Sequence, residues 1–322
     1  MSYQISLPNT LARKKPASFR LCNVSGHPTE LLEIVSHDPP PALHLLFIPG
    51  NPAIGHISHS KKDWEKGRLF SLQEQIDHKA DFVRQEMQNV EVPIVLVGHS
   101  IGSYISLEML RRCSGKVTYF LGLYPFLMVN QQSRAQSVIG NIAESSILSA
   151  ILSCAAASLG LLPKIASRLI VSKTIGNSWS DTAIEASCSH LLQYHTVRNM
   201  LFMAMTEFRE VILLATDKLA EKPDWAFVRK NGDKIAFLFG EDDHWGPLHM
   251  FEEVSFQFGG YGLVLNPVPC LQISKQVPDI PLSIEREGHI HAFSCTDAGS
   301  IWVAKHVATL IKNQISSLSF LG

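Results

Sequence analysis

Two hydrophobic periods alternate along this chain. Runs with little or no polar alternation occur at His44-Leu-Leu-Phe-Ile48, Ile94-Val-Leu-Val97, Val117 to Leu123 and Lys234 to Phe239, with a weaker one at Pro281 to Ile284. Such runs suit strands buried on both faces, as in a parallel sheet covered by helices. Ahead of them, Phe19, Leu21 and Asn23 alternate with Arg20 and Cys22, and a second short apolar run follows the Gly26-His27-Pro28 breaker. That pattern predicts two early antiparallel strands. Between the runs the period becomes helical. Ser71 and Glu74 form a capping box ahead of Leu72, Ile76, Ala80, Val83 and Met87, which predicts an amphipathic helix leading into the Ile94 strand. Tyr104, Leu107, Met109 and Leu110 predict a second helix ending at Arg111-Arg112, and Ile301, Ala304, Val307, Ala308 and Ile311 predict the last. Strand followed by helix, repeated, implies an α/β doubly wound sheet, mostly parallel.

The repeat is interrupted. Residues 127–230 lack strand-like runs and are rich in Ser, Ala and Leu, so they read as a helical insertion into a core made of 1–126 and 231–322. Within it, Ser145 to Leu162 carries no charge and is closed by Pro163, then Lys164, Arg168 and Lys173, after which Leu169-Ile170-Val171 resumes the apolar character. Two readings fit: a buried cap helix over a site, or a hairpin inserted into a lipid monolayer with its basic residues at headgroup level. Gly160 and Pro163 disfavour a bilayer span.

Composition narrows the function classes. Of 322 residues, 28 are basic and 29 acidic, a net charge of -1, so the chain has no overall field to hold nucleic acid. Hydrophobic residues at 46% against 18% charged exclude a disordered chain. Six cysteines (Cys22, Cys113, Cys154, Cys188, Cys270, Cys295) show neither C-x-x-C spacing nor clustering and are expected as buried free thiols in a reducing compartment. The N-terminal residues lack the uninterrupted apolar stretch of a secretory signal. His56 and His59 lie three apart without a third ligand, and no motif asks for a metal or a cofactor.

The chemistry concentrates at Gly98-His99-Ser100-Ile101-Gly102, a G-x-S-x-G between an apolar strand and a helix. Glycines there permit the strained turn that lifts a serine hydroxyl above the sheet, and the following helix N-terminus aims N–H groups at an oxyanion. His99 is expected as a packing or hydrogen-bonding neighbour. A nucleophilic serine needs a base and an acid, in the order Ser, Asp, His. The strand ending at Phe239 runs into Gly240-Glu241-Asp242-Asp243-His244, which offers three carboxylates. His289 and His291 offer two imidazoles before the last helix. Asn51, after the Phe47-Ile48 strand, and Ile101, after the nucleophile, stand where oxyanion N–H donors are expected.

Phe47-Ile-Pro-Gly-Asn-Pro52, Gln75-Ile-Asp-His-Lys79, Gly98-His-Ser-Ile-Gly-Ser-Tyr104 and His291-Ala-Phe293 together resemble the lipid droplet-associated hydrolase family of the α/β-hydrolase superfamily, in the same order over nearly the whole chain. The resemblance implies the α/β-hydrolase fold, with Ser100 as nucleophile, Asp243 as acid because it falls two residues before Trp245, and His291 as base because the family's motif is His-Ala-Phe. It implies hydrolysis of lipid carboxylic esters, of sterol ester or acylglycerol class, at a lipid droplet or other membrane surface, with cytosolic or endoplasmic reticulum pools besides. The alternative is a weakly active surface or scaffold protein on the same fold. One departure bears on that choice. The family has a helix after the Pro49-Gly50-Asn51-Pro52 turn, and here only three residues separate Pro49 from the next candidate strand, Ala53 to Ser58. A parallel crossover needs about a dozen, so this chain resembles a shortened form.

Overall fold

In a computed structural model of the chain, residues 18–34, 41–51, 58–59, 67–127, 129, 133–174, 178–216, 225–246 and 280–319 are described. Pro52, His56, Pro247, Cys270 and most of the Ala53 to Ser58 stretch lie outside them. The apolar runs form five parallel strands in the order β3-β5-β6-β7-β8: His44–Ile48, Ile94–His99, Val117–Leu123, Ile235–Gly240 and Leu282–Glu285. Parallel pairing brings every carboxyl end to one edge, where ligands bind in open α/β sheets.

The capping box forms as written in the sequence. Ser71 caps helix α1 (Leu72–Glu86), its hydroxyl accepting from Glu74 N–H while the Glu74 carboxylate accepts from Ser71 N–H. Helix α2 (Ile101–Arg112) springs from the end of β5, and α9 (Asp297–Ser319) closes the chain. Alternate strand positions feed two cores. Leu46, Ile48, Leu96, Phe120 and Phe237 face α1 and α2; Val95, Val97, Tyr119, Leu121 and Leu238 face α9 through Val303, Val307 and Ile311.

The first strands, β1 (Ser18–Val24) and β2 (His27–Glu33), are antiparallel, as the alternation predicts. Phe19 and Leu21 nevertheless face solvent. The opposite side of this hairpin is the one tied down, through Arg20 to Glu86 at 2.8 Å and Ser25 to Asp81 at 2.6 Å on α1. The next strand, β4, is just Ser58–His59 and pairs antiparallel with β2. Nine residues, 49–57, separate β3 from β4, too few for a helical crossover. Among the described residues the hairpin sheet and the five-stranded sheet are therefore separate ladders. Leu45, on the α9 side of β3 by the two-residue period, is left exposed.

Between β6 and β7 the described elements are helical: α3 (Arg134–Glu144), α4 (Ser146–Gly160), α5 (Lys164–Thr174), α6 (Asp181–Ala186), α7 (Tyr194–Thr216) and α8 (Trp225–Lys230). Helix α7 carries α3 and α4 on its flank. Helix α4 is inside out. Ser149 and Ser153 are fully buried, their hydroxyls bonded to the Ile142 and Ser149 carbonyls, while Ile147 and Ile151 are 71% and 60% exposed. The exposed apolar face continues through Leu161, Leu162, Ile165 and Leu169. No single helix among the described residues is long and apolar enough to cross a membrane; α3 and α4 together have the length, but bend by 98° at their junction. The described cysteines are free thiols, as expected, but only Cys113 is buried; Cys154 is exposed and Cys22, Cys188 and Cys295 are half-buried, because they lie on an outer strand, an outer helix and short turns that leave one side open to solvent.

Candidate active site

Ser100 sits on a backbone turn with φ 56° and ψ -127°, a region L-residues enter at a cost of about 1–3 kcal/mol. Close packing holds it there. A Cβ on Gly98 would lie 2.4 Å from the Gly102 carbonyl oxygen, and one on Gly102 would lie 2.1 Å from that of Ile48. The turn is thus wedged between the start of α2 and the end of β3. Main-chain bonds complete the clamp: Ser100 N–H donates to Leu123 O at 3.0 Å, and Phe126 N–H donates to Ser100 O at 3.1 Å.

The end of β7 supplies a carboxylate. Asp243 is buried and accepts from Trp245 N–H at 2.9 Å, whereas Glu241 and Asp242 stand in solvent, with Glu241 near Arg286. The loop after β8 supplies the imidazole. His291 Nδ1 lies 2.9 Å from both Asp243 carboxylate oxygens, and its Nε2 lies 2.9 Å from Ser100 Oγ. His289 turns away and packs on Trp302. So of three carboxylates and two imidazoles left open by the residue order, one of each reaches Ser100. Gly50 packs against the serine as well: a Cβ there would meet Ser100 Cβ at 2.7 Å. Asn51 follows directly, and α2 starts with no side chain capping its first N–H groups.

Glu285 and Tyr124 were not legible in the sequence. Glu285, at the end of β8 and almost fully buried, accepts main-chain N–H bonds from Glu287 and His289 and lies 3.4 Å from the Tyr124 hydroxyl, so it shapes the loop that presents His291. His99 is the packing and hydrogen-bonding neighbour that the sequence leads one to expect. Its Nε2–H donates to the His291 carbonyl at 2.9 Å, and burial drives its pKa down to about 3, so the ring stays neutral beneath His291. Tyr124 stacks on Phe293 at 5.2 Å between ring centres. The only available signal for these groups was position at strand ends, which many residues share.

Above Ser100 lies a cavity of about 650 Å³, within the range of small-molecule sites. Its walls include Phe126, Ile139, Trp179, Leu201, Phe208 and Trp245, so α3 and α7 form much of the roof. The helical segment is bonded to each loop of the site. Gln136 on α3 donates to the His244 and Trp245 carbonyls, Ser180 N–H before α6 donates to Cys295 O, and Asn51 Nδ2 donates to Met200 O on α7.

The chain is similar to known proteins in sequence and in fold. The sequence model of a family described as lipid-droplet associated hydrolase matches residues 52–294. A lipid droplet-associated hydrolase of Gallus gallus is 26% identical over 194 residues, 59% of this chain and 56% of that protein. One of Dictyostelium discoideum is 23% identical over 210 residues, 62% of this chain and 64% of that protein. The matches thus span less than two thirds of these relatives. Among solved structures, a haloalkane dehalogenase of Bradyrhizobium elkani superposes with TM-score 0.60 at 14% identity, covering 92% of this chain and all of that one. A peroxisomal alpha-beta-hydrolase of Saccharomyces cerevisiae superposes with TM-score 0.57 at 12% identity, covering 94% and 91%. At such identities the likeness is one of fold, that of the α/β hydrolases.

The wedge makes one prediction. Gly102→Ala pushes a methyl into the Ile48 carbonyl and should cost about 1–3 kcal/mol of stability, the usual toll of overpacking. Chemical denaturation of the purified variant measures this. A wild-type midpoint would mean that β3 and the serine turn are not in contact.

Proposed function

The chain belongs to the lipid-droplet associated hydrolase family, and from that premise we propose that it is a serine hydrolase cleaving carboxylic esters of lipids, of sterol ester or acylglycerol class, at the droplet surface. The observation that carries this reading is the line from Asp243 through His291 to Ser100, with both links at 2.9 Å. Family membership and fold support it.

In the proposed reaction, Ser100 Oγ attacks the ester carbonyl as His291 Nε2 takes its proton. Asp243, accepting from His291 Nδ1–H, keeps the imidazole in the tautomer whose Nε2 is free and stabilises the imidazolium that forms. The tetrahedral oxyanion is held by the main-chain N–H groups of Ile101 and Asn51, the first at the uncapped start of α2 where the helix dipole adds its positive end. His291 then returns the proton to the alkoxide, the alcohol leaves, and water repeats the sequence on the acyl-serine. Neutral His99 beneath His291 adds no competing positive charge to the base. No step requires a cofactor or a metal.

Residues 127–230 serve, in this reading, as one insertion with two faces. Its α3, α6 and α7 residues wall the largely apolar cavity, which suits an acyl chain or a sterol ring. Its α4 and α5, with the turn between them, leave Ile147, Ile151, Leu161 and Ile165 exposed to solvent, with Lys164 and Lys173 nearby in sequence and Arg168 paired with Asp181 and Glu185. A face of that composition suits a phospholipid monolayer, apolar residues among the acyl chains and cations at the headgroups. Cap and anchor are then parts of the same segment.

Two predictions follow from the site and the face. Ser100→Ala and His291→Ala should each lower kcat by about 10⁴-fold or more, without a change in melting temperature beyond a few degrees, and His289→Ala should stay within a few-fold of wild type. Turnover over a panel of p-nitrophenyl, cholesteryl and glycerol esters measures this and sorts the substrate class. Near-wild-type turnover in Ser100→Ala would favour a surface protein without this chemistry. Separately, the triple substitution Ile147→Asp, Ile151→Asp and Ile165→Asp should release the protein from isolated droplets. Each exposed Ile contributes about 1.5–3 kcal/mol when buried in lipid, while Ser100→Ala should stay bound. Flotation with a fold check by circular dichroism decides it. A folded triple variant that still floats would place the anchor elsewhere.

A further inference from the structure

Helix α7 presents two sets of groups, each seven residues apart and so two turns apart on a common face. One set serves the start of α1: Phe70 N–H donates to Asn199 Oδ1 at 3.0 Å, and Leu72 N–H donates to Thr206 Oγ1 at 2.9 Å. The other faces the loop after β3. Asn51 Nδ2 donates to the Met200 carbonyl at 3.0 Å, and its side chain lies beside the carboxyl of Glu207, which lines the same cavity. Glu207 is 6% exposed, lines the cavity that holds Ser100, and leaves Oε1 without a hydrogen-bond partner among the described residues. Burial pushes its pKa up to about 8, with the Asn51 side chain opposing, so the group is a neutral carboxyl near pH 7.

A buried acid that forms no ion pair with any described residue is costly to keep. Its position offers a use. Asn51 is the residue after Gly50, whose Cα packs on Ser100, and the amide of its side chain is committed to α7 rather than to substrate. We propose that Glu207 is a positioning residue for the oxyanion loop: by holding the Asn51 side-chain amide against α7, it fixes the Asn51 main-chain N–H relative to Ser100 Oγ. This rests on the serine hydrolase reading above. It also gives the loop an anchor from the cap side, at the point where the nine-residue link between β3 and β4 leaves no room for a crossover helix.

The test is a double-mutant cycle on the full chain, with Glu207→Met, Glu207→Gln, Asn51→Ala and the Glu207→Met/Asn51→Ala pair, read by p-nitrophenyl ester kinetics and by melting temperature. Glu207→Met should lower kcat about tenfold with KM within twofold. Glu207→Gln, which keeps the carbonyl acceptor, should stay within twofold of wild type. The pair should be no slower than Asn51→Ala alone. A wild-type kcat in Glu207→Met, the same fractional loss on the Asn51→Ala background, or a Glu207→Gln as slow as Glu207→Met would each overturn the proposal. If Met is not tolerated, Glu207→Leu takes its place in the cycle. Wild-type protein without Ser100-dependent turnover would contradict the hydrolase reading instead. In that case the melting temperatures still judge the clamp: non-additive shifts support it, and additive shifts overturn it.

Discussion

The conformation of one residue sets the terms for the rest of the site. Ser100 occupies a left-handed turn that the chain pays for with close packing: Gly98 against Gly102, Gly102 against the Ile48 carbonyl, and Gly50 against Ser100 itself. No side chain fits at those glycine positions without moving backbone. The turn projects the hydroxyl beyond the carboxyl edge of a parallel sheet, and because the strands are parallel, the loops after β7 and β8 arrive at the same edge. Asp243 and His291 therefore converge on Ser100 although they stand 143 and 191 positions beyond it in the chain.

The helical segment between β6 and β7 has two unlike sides. Its inner residues wall a cavity and are bonded to each of the three loops of the site, through Gln136, Ser180 and Met200. Its outer helices reverse the usual order of burial. In α4, serine hydroxyls satisfied by main-chain carbonyls face inward, and isoleucines face outward. In water that exposed face is unfavourable; against a lipid surface it becomes the favourable side of the molecule. Among the described residues the hairpin sheet and the five-stranded sheet are separate ladders and Leu45 is exposed, while α7 holds the start of the loop after β3 through Asn51.

Much of this could be read before any coordinates. Uniform apolar runs announced β3, β5, β6 and β7, because strands covered on both faces need no alternation. Ser71 and Glu74 announced the start of α1 by local hydrogen bonding alone. The serine turn was legible because its glycines flank the serine at a fixed spacing, although what excludes a side chain at Gly102 is the distant Ile48 carbonyl. What stayed open were choices made through space. Residue order offered Glu241, Asp242 and Asp243 on equal terms, and only the resemblance favoured Asp243; the fold alone brings it within 2.9 Å of His291. Glu285 bears on the site through bonds to the loop main chain and Glu207 through the Asn51 side chain, contacts that no periodicity encodes. The polarity of α4 was hidden because a serine scattered among isoleucines reads the same whichever face is turned inward.

The central claim is that Ser100 is a nucleophile made reactive by His291, and covalent trapping tests it most directly. The full chain is treated with a fluorophosphonate, its intact mass is recorded over time, and the modified peptide is mapped. The account predicts a single adduct on the peptide carrying Ser100, absent in Ser100→Ala and formed far more slowly in His291→Ala while the protein stays folded. An unmodified wild-type protein, or an adduct on another residue, would contradict it.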